Sequence, residues 1–141
     1  MSEAAVISGQ GVSESVPASI GAVLIIDDEA DIREVAQVSL ELVGHYEVRT
    51  AGSGREGVES ARTYQPDAIL LDVTMPDLDG PGTLAELRAD PATHQIPVVF
   101  LTAKTQSAER AQLARLSPAG ILTKPFDPLK LADDLASTLH W

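Results

Sequence analysis

The sequence predicts an α/β protein, a doubly wound parallel sheet of five strands built as five successive strand–helix units. Three observations carry that expectation. Short aliphatic runs at residues 22–26, 68–71, 98–101 and 119–122 are each followed at once by a polar residue, as expected of strands covered on both faces. Stretches with helical apolar spacing separate the runs. No repeat, linker or second compositional block divides the 141 residues, a length suited to one domain with a proper core.

The elements follow in order. Residues 1–20 are mainly Ser, Gly, Ala and Val without a pattern, and a flexible tail is expected there. The domain proper is expected at 21–141, with 22–26 as its first strand. Ile32, Val35, Ala36, Leu40 and Val43 recur at helical spacing, and Gly44 is placed to end that helix. Residues 46–50 alternate, as a strand nearer an edge does. Ser53 and Glu56 form a capping-box pattern, Ser at the cap and Glu three positions on, opening a helix to about residue 64. Gln65-Pro66-Asp67 is the turn into the third strand.

Residues 75–80 are too rich in turn formers for regular structure. Pro81 suits a first helical turn, so a helix is expected to about residue 89. A fourth strand, 96–101, is entered through Pro97. The fourth helix, 107–116, is weakly apolar, and the fifth strand is 119–123. Asp127 and Pro128 are expected to cap and start the last helix, with Leu131, Leu135 and Leu139 on one face and Trp141 packed on it.

Composition narrows the function. Hydrophobic content of 44% and charged content of 22% suit a globular chain. No cysteine is present, which excludes disulfides, thiolate metal sites and a cysteine nucleophile. No apolar run approaches a membrane span, and the first residues lack the basic start and apolar core of a leader. A cytoplasmic location is expected. The net charge of −11 argues against nucleic acid or anionic membrane as direct partners. His45, His94 and His140 have no ligand spacing, and Arg110, Arg115 and Lys130 read as solvated charges.

The chemistry sits at the strand ends. Asp27-Asp28-Glu29, Asp72, Thr102 and Lys124 each follow or close an apolar run, and open sheets bind ligands beyond the carboxyl ends of their strands. Carboxylates gathered there repel one another, and a divalent cation removes the conflict. An oxygen-only ligand set favours Mg²⁺ over zinc. Such a metal suits phosphoryl transfer, with a carboxylate as the nucleophile. Asp72 is the best candidate, on a central strand among the others. Thr102 would donate a hydroxyl to one phosphoryl oxygen and Lys124 would bring a point charge to another. Taken singly, each residue has a plainer reading: a helix cap for the aspartates, a strand-end hydroxyl for Thr102, a surface lysine for Lys124. The constellation lifts them above it.

These residues resemble those of a known family. Asp27-Asp28-Glu29, the segment Leu70-Leu71-Asp72-Val73-Thr74-Met75-Pro76-Asp77-Leu78-Asp79-Gly80, Leu101-Thr102-Ala103 and Lys124-Pro125-Phe126 are similar to the receiver domain of two-component response regulators. Intervals of 44, 30 and 22 residues separate Asp28, Asp72, Thr102 and Lys124 in turn, as in ungapped receivers. The resemblance implies a flavodoxin-like strand order 2-1-3-4-5 and Asp72 as phosphoacceptor. It implies Mg²⁺ on Asp27, Asp28, Asp72 and the main-chain carbonyl of Thr74. Thr102 becomes the switch hydroxyl and Lys124 the phosphate-binding lysine, followed by a cis Lys124–Pro125 bond. The implied donor is a phosphohistidine on a sensor histidine kinase or histidine phosphotransfer protein. The implied output is contact with a downstream protein through the fourth helix, fifth strand and fifth helix.

Three positions bear on how far the family pattern carries over. Ile121 stands where receivers usually carry an aromatic ring coupled to the switch hydroxyl, and Thr74 and Lys104 stand where the acyl-phosphate lifetime is tuned. A stand-alone receiver in a phosphorelay, catalysing only its own phosphorylation and dephosphorylation, is the expectation. Two rivals are a degenerate receiver acting as a phosphorylation-independent scaffold, and a small Mg²⁺-dependent phosphatase of the haloacid dehalogenase type. The phosphatase would need an acid two residues after a nucleophile at Asp27, offered only as Glu29, and a cap for which the chain has no room.

Overall fold

The four aliphatic runs and the alternating segment after the first helix become five strands, of which the three central ones bury their side chains on both faces. In the computed structural model, which describes residues 21–103 and 106–141, these strands are β1 (Ala22–Ile26), β2 (Glu47–Ala51), β3 (Ala68–Asp72), β4 (Val98–Thr102) and β5 (Gly120–Thr123). The helices are α1 (Ala30–Leu42), α2 (Gly54–Tyr64), α3 (Gly80–Ala89), α4 (Ser107–Ala114) and α5 (Leu131–Leu139). The expected tail at 1–20 and Lys104 lie outside the described residues. Among the described residues, no helix is long and apolar enough to cross a membrane.

All four strand pairings are parallel, in the spatial order β2-β1-β3-β4-β5. The predicted doubly wound α/β sheet and its 2-1-3-4-5 order are therefore observed. Every residue of β3 and β4 is buried, which is why those segments read as unbroken aliphatic runs. Strand β2 is an edge and alternates exposed with buried positions. Two apolar clusters cover the two faces of the sheet. One joins Leu24, Ile26, Ile69, Leu71 and Phe100 to α2 and α3. The other joins Val23, Ile25, Leu70, Val99 and Leu101 to Ala36 and Leu40 of α1 and to Leu131 and Leu135 of α5.

Local chemistry sets the helix ends. Ser53 Oγ accepts from the Glu56 amide at 3.1 Å, and Glu56 reaches back to the amide of Gly52 at 2.8 Å, one residue earlier than the usual capping box. Asp79, a turn residue in the sequence, caps α3 by accepting from Gly82 N at 2.8 Å.

Two helix ends differ from expectation by two residues or more. Helix α5 starts at Leu131 rather than Pro128. Asp127 instead closes a tight turn of its own: its side chain accepts from Leu129 N, and its carbonyl from the amides of Lys130 and Leu131. Helix α4 stops at Ala114, and the carbonyls of Leu116 and Ser117 accept from the Arg88 guanidinium. Helix α1 ends just before Gly44, as expected, and the left-handed residue that follows is His45, at φ 60°. Gly44 is required for closeness: a Cβ there would lie 2.6 Å from the Tyr46 ring. Trp141 meets that same ring, with centroids 5.5 Å apart.

Candidate functional site

Parallel strands that end together deliver their next residues to one rim. Strand β1 ends at Ile26, so Asp27 and Asp28 leave the sheet there; β3 ends on Asp72, β4 on Thr102, and Lys124 follows β5. Register carries this alignment. Ile26 pairs with Leu71, Asp72 with Leu101, and Thr102 with Thr123. Backbone bonds extend it past the strands, from Asp27 N to Ala51 O, Val73 N to Leu101 O and Lys124 N to Thr102 O.

The side chains of Asp27, Asp28, Asp72 and Lys124 converge. Carboxylate oxygens of Asp27, Asp28 and Asp72 lie within 4.8 Å of one another. Lys124 Nζ lies 3.0 Å from Asp27 Oδ2, 3.0 Å from Asp72 Oδ1 and 3.1 Å from Glu29 Oε1. Asp27 and Asp72 are buried, whereas Asp28 is exposed. Thr102 is buried at the end of β4, and Thr74 is exposed two residues beyond Asp72. The Lys124–Pro125 bond is cis. Ile121 is half-buried against the apolar cluster that contains Leu113.

One ammonium shared by three carboxylates cannot neutralise them all. Burial pushes the Asp72 carboxyl up to about 6; the hydrogen bond from Lys124 opposes this, and the neighbouring Asp27 and Asp28 charges add to it. Burial alone would lower the Lys124 ammonium, but its close ion pairs with Asp27 and Asp72 outweigh burial and hold it well above the usual lysine range. The lysine therefore stays charged while Asp72 remains under-compensated.

That shortfall tests the fit for a cation. Asp27 Oδ2 is buried and, although 3.0 Å from the ammonium, receives no well-directed hydrogen bond. A cluster of hard oxygen donors without His or Cys, containing a buried carboxylate oxygen with unused capacity, suits Mg²⁺.

Several supporting residues were not singled out in the sequence. Arg33 donates from Nη1 to the Asp27 carbonyl at 2.7 Å, and Asp27 Oδ1 accepts from Glu29 N at 2.8 Å, which fixes the turn after β1. Gly80 donates its amide to Val73 O at 2.8 Å. A Cβ on Gly80 would lie 2.7 Å from the Asp72 carbonyl, so only glycine allows α3 to start directly under the loop after Asp72. Helical spacing puts Arg33 on a predictable face, but its partner depends on how α1 crosses the sheet. Arg110, read as solvated, donates to Thr123 Oγ1 at 3.2 Å. His45, His94 and His140 are exposed, as expected.

Comparison with known proteins agrees with this geometry. Residues 23–136 match the family model of the response regulator receiver domain. The response regulator Rre1 of Synechocystis is 36% identical over 108 residues, 77% of this chain and 47% of that protein. The DNA-binding dual master transcriptional regulator RpaA of Synechocystis is 40% identical over 105 residues, 74% of this chain and 43% of that protein. The chain thus spans about half the length of the curated relatives it matches. Among solved structures, the chemotaxis response regulator CheY4 of Vibrio cholerae superposes with a TM-score of 0.76 at 32% identity, covering 84% of this chain and 98% of that one. The N-terminal domain of a response regulator receiver protein from Methanoculleus marisnigri gives 0.69 at 35% identity, covering 86% and 98%.

Proposed function

The chain belongs to the response regulator receiver domain family, and from that premise we propose that it accepts a phosphoryl group on Asp72 from a phosphohistidine donor in a Mg²⁺-dependent reaction. The observation that carries the proposal is the convergence of Asp27, Asp28 and Asp72 within 4.8 Å, with Lys124 3.0 Å from Asp72. In the transfer an Asp72 carboxylate oxygen forms the new O–P bond. The N–P bond of the phosphohistidine breaks, and its electron pair stays on the leaving imidazole, which takes up a proton. Mg²⁺, held by Asp27, Asp28, Asp72 and the Thr74 carbonyl, would neutralise charge on the phosphoryl oxygens.

The protein supplies position and charge. Asp72 is fixed by a buried strand and by a glycine-enforced close approach behind it. Lys124 stays charged and supplies the local cation opposite the transferred group. The Thr102 hydroxyl is the group proposed to follow the phosphoryl oxygen. Its movement would bias the segment leading into α4, and the output surface is proposed to comprise α4, β5 and α5. The donor partner is proposed to be a sensor histidine kinase or a histidine phosphotransfer protein. The net charge of −11 gives this chain itself no attraction for nucleic acid, even though one relative is named as DNA-binding.

Acetyl phosphate with Mg²⁺ tests the reading by intact-protein mass spectrometry. The wild type is expected to gain one base-labile phosphoryl adduct, which chelation of Mg²⁺ prevents and Asp72→Asn abolishes. A folded wild type that gains no adduct under these conditions would leave the scaffold reading in its place.

A further inference from the structure

Lys124 has three N–H donors, and three carboxylates surround it at 3.0, 3.0 and 3.1 Å. A phosphoryl group on Asp72 brings further anionic oxygens to that ammonium, so its three contacts must be shared anew. The three are not equivalent. Asp27 is 1% exposed and its Oδ1 is tied to the Glu29 amide; Asp72 is 5% exposed on a fully buried strand. The Glu29 side chain is 62% exposed and reaches Lys124 across 95 residues of sequence by one hydrogen bond of 3.1 Å. Glu29 occupies the N-cap of α1, yet its side chain caps nothing there. Its backbone is pinned to Asp27, while its carboxylate is free to leave into solvent.

We propose that Glu29 is a positioning residue acting through Lys124: it occupies the ammonium in the unphosphorylated protein and is the carboxylate displaced when Asp72 carries phosphate. The proposal rests on Asp72 being the phosphoacceptor. Charge favours the exchange. Four carboxylates and one ammonium already share the rim, and a dianionic phosphoryl group on Asp72 replaces one negative charge by two, a net gain of one. Releasing Glu29 frees a donor and moves one negative charge away in a single side-chain rotation. Glu29 therefore competes with the phosphoryl group and sets how readily the site accepts an anion.

Beryllofluoride, added with saturating Mg²⁺ and followed by titration calorimetry, reads that competition on the full chain. Glu29→Ala removes charge and contact together. Glu29→Asp keeps the charge but shortens the reach, and aspartate at an N-cap turns to the helix amides instead. Asp31→Asn removes a nearby exposed charge that makes no contact with Lys124 in the described bonds. An exposed ion pair is weak, so both Glu29 variants are expected to bind beryllofluoride about two- to fivefold more tightly. Asp31→Asn should match the wild type, and Glu29→Asp should leave the affinity for Mg²⁺ alone unchanged.

Weaker binding in either Glu29 variant would overturn the proposal. So would a gain shared by Glu29→Ala and Asp31→Asn but absent from Glu29→Asp, because that pattern is a field effect without displacement. A wild type that binds Mg²⁺ but no beryllofluoride would sink the phosphoacceptor reading itself, and this inference with it.

Discussion

The two sides of the candidate site are built to different standards of rigidity. Behind Asp72, strands β3 and β4 bury all ten of their residues, and Phe100, Leu70 and Leu71 are fully enclosed. On the other side, β5 has three half-buried positions and one exposed one, and α4 buries only Leu113 among its described residues. No side chain caps α4 at Gln106. Asp72 stands on the rigid side, and Lys124 follows the loose strand. A phosphoryl group bridging them would couple a fixed floor to a wall that little burial holds. The contrast suits a switch: the chemistry needs an immobile carboxylate, and the response needs an element whose rearrangement costs little.

Truncating one core side chain on each side should expose the contrast most strongly. Leu70→Ala deletes a fully buried side chain between α1 and α5, and a loss of about 2–5 kcal/mol is expected. Ile121→Ala removes a half-buried side chain on β5 and should cost roughly 1–2 kcal/mol. Urea unfolding of the two variants in parallel measures the difference. Equal losses would mean that β5 is as firmly held as β3.

The buried floor also has an electrostatic cost. Asp72 titrates near 6 when folded, against an ordinary value of 3.8, because burial disfavours its charge. A carboxyl raised on folding contributes stability while protonated and loses it as pH climbs from its unfolded value through its folded one. Metal-free wild type should therefore lose stability between about pH 4 and pH 7 through this group. Asp72→Asn lacks the penalty and should be more stable than wild type by about 1–3 kcal/mol at pH 8, with the gap closing near pH 4. Melting curves in chelator across that range would show it. A gap of opposite sign at pH 8 would mean that the Lys124 pair dominates burial.

The same contrast explains what the sequence could and could not reveal. Buried parallel strands leave continuous aliphatic runs, so β1, β3 and β4 and the residues at their ends were legible, and with them Asp27, Asp28, Asp72 and Thr102. Lys124 was legible because it too follows a strand. The Glu29–Lys124 bond, Arg33 on the Asp27 carbonyl and the Arg88 clamp on the loop after α4 were not. Each joins residues brought together by the way a helix crosses the sheet, which periodicity does not encode. Gly44 does stand just past the end of α1, as its place in the sequence suggested, but the packing reason was not legible: its missing side chain admits the Tyr46 ring, and the left-handed conformation falls to His45.

The smallest expected effect concerns the loose wall alone. Arg110, midway along α4, donates to Thr123 Oγ1 beside Lys124, whereas Arg88 fastens the loop beyond the helix to α3. Helix α4 is thus tethered beyond its C-terminal end and latched to β5 through Arg110. Arg110→Ala should change global stability by no more than about 0.5 kcal/mol, as an exposed substitution does. Local opening should nevertheless rise, because little apolar surface offsets the lost bond. Amide exchange measured peptide by peptide is expected to speed up across residues 107–114 and stay unchanged in α2 and α3. Acceleration spread over the whole sheet would make Arg110 part of the general framework, and no acceleration anywhere would mean that contacts other than Arg110, Leu113 among them, hold the helix.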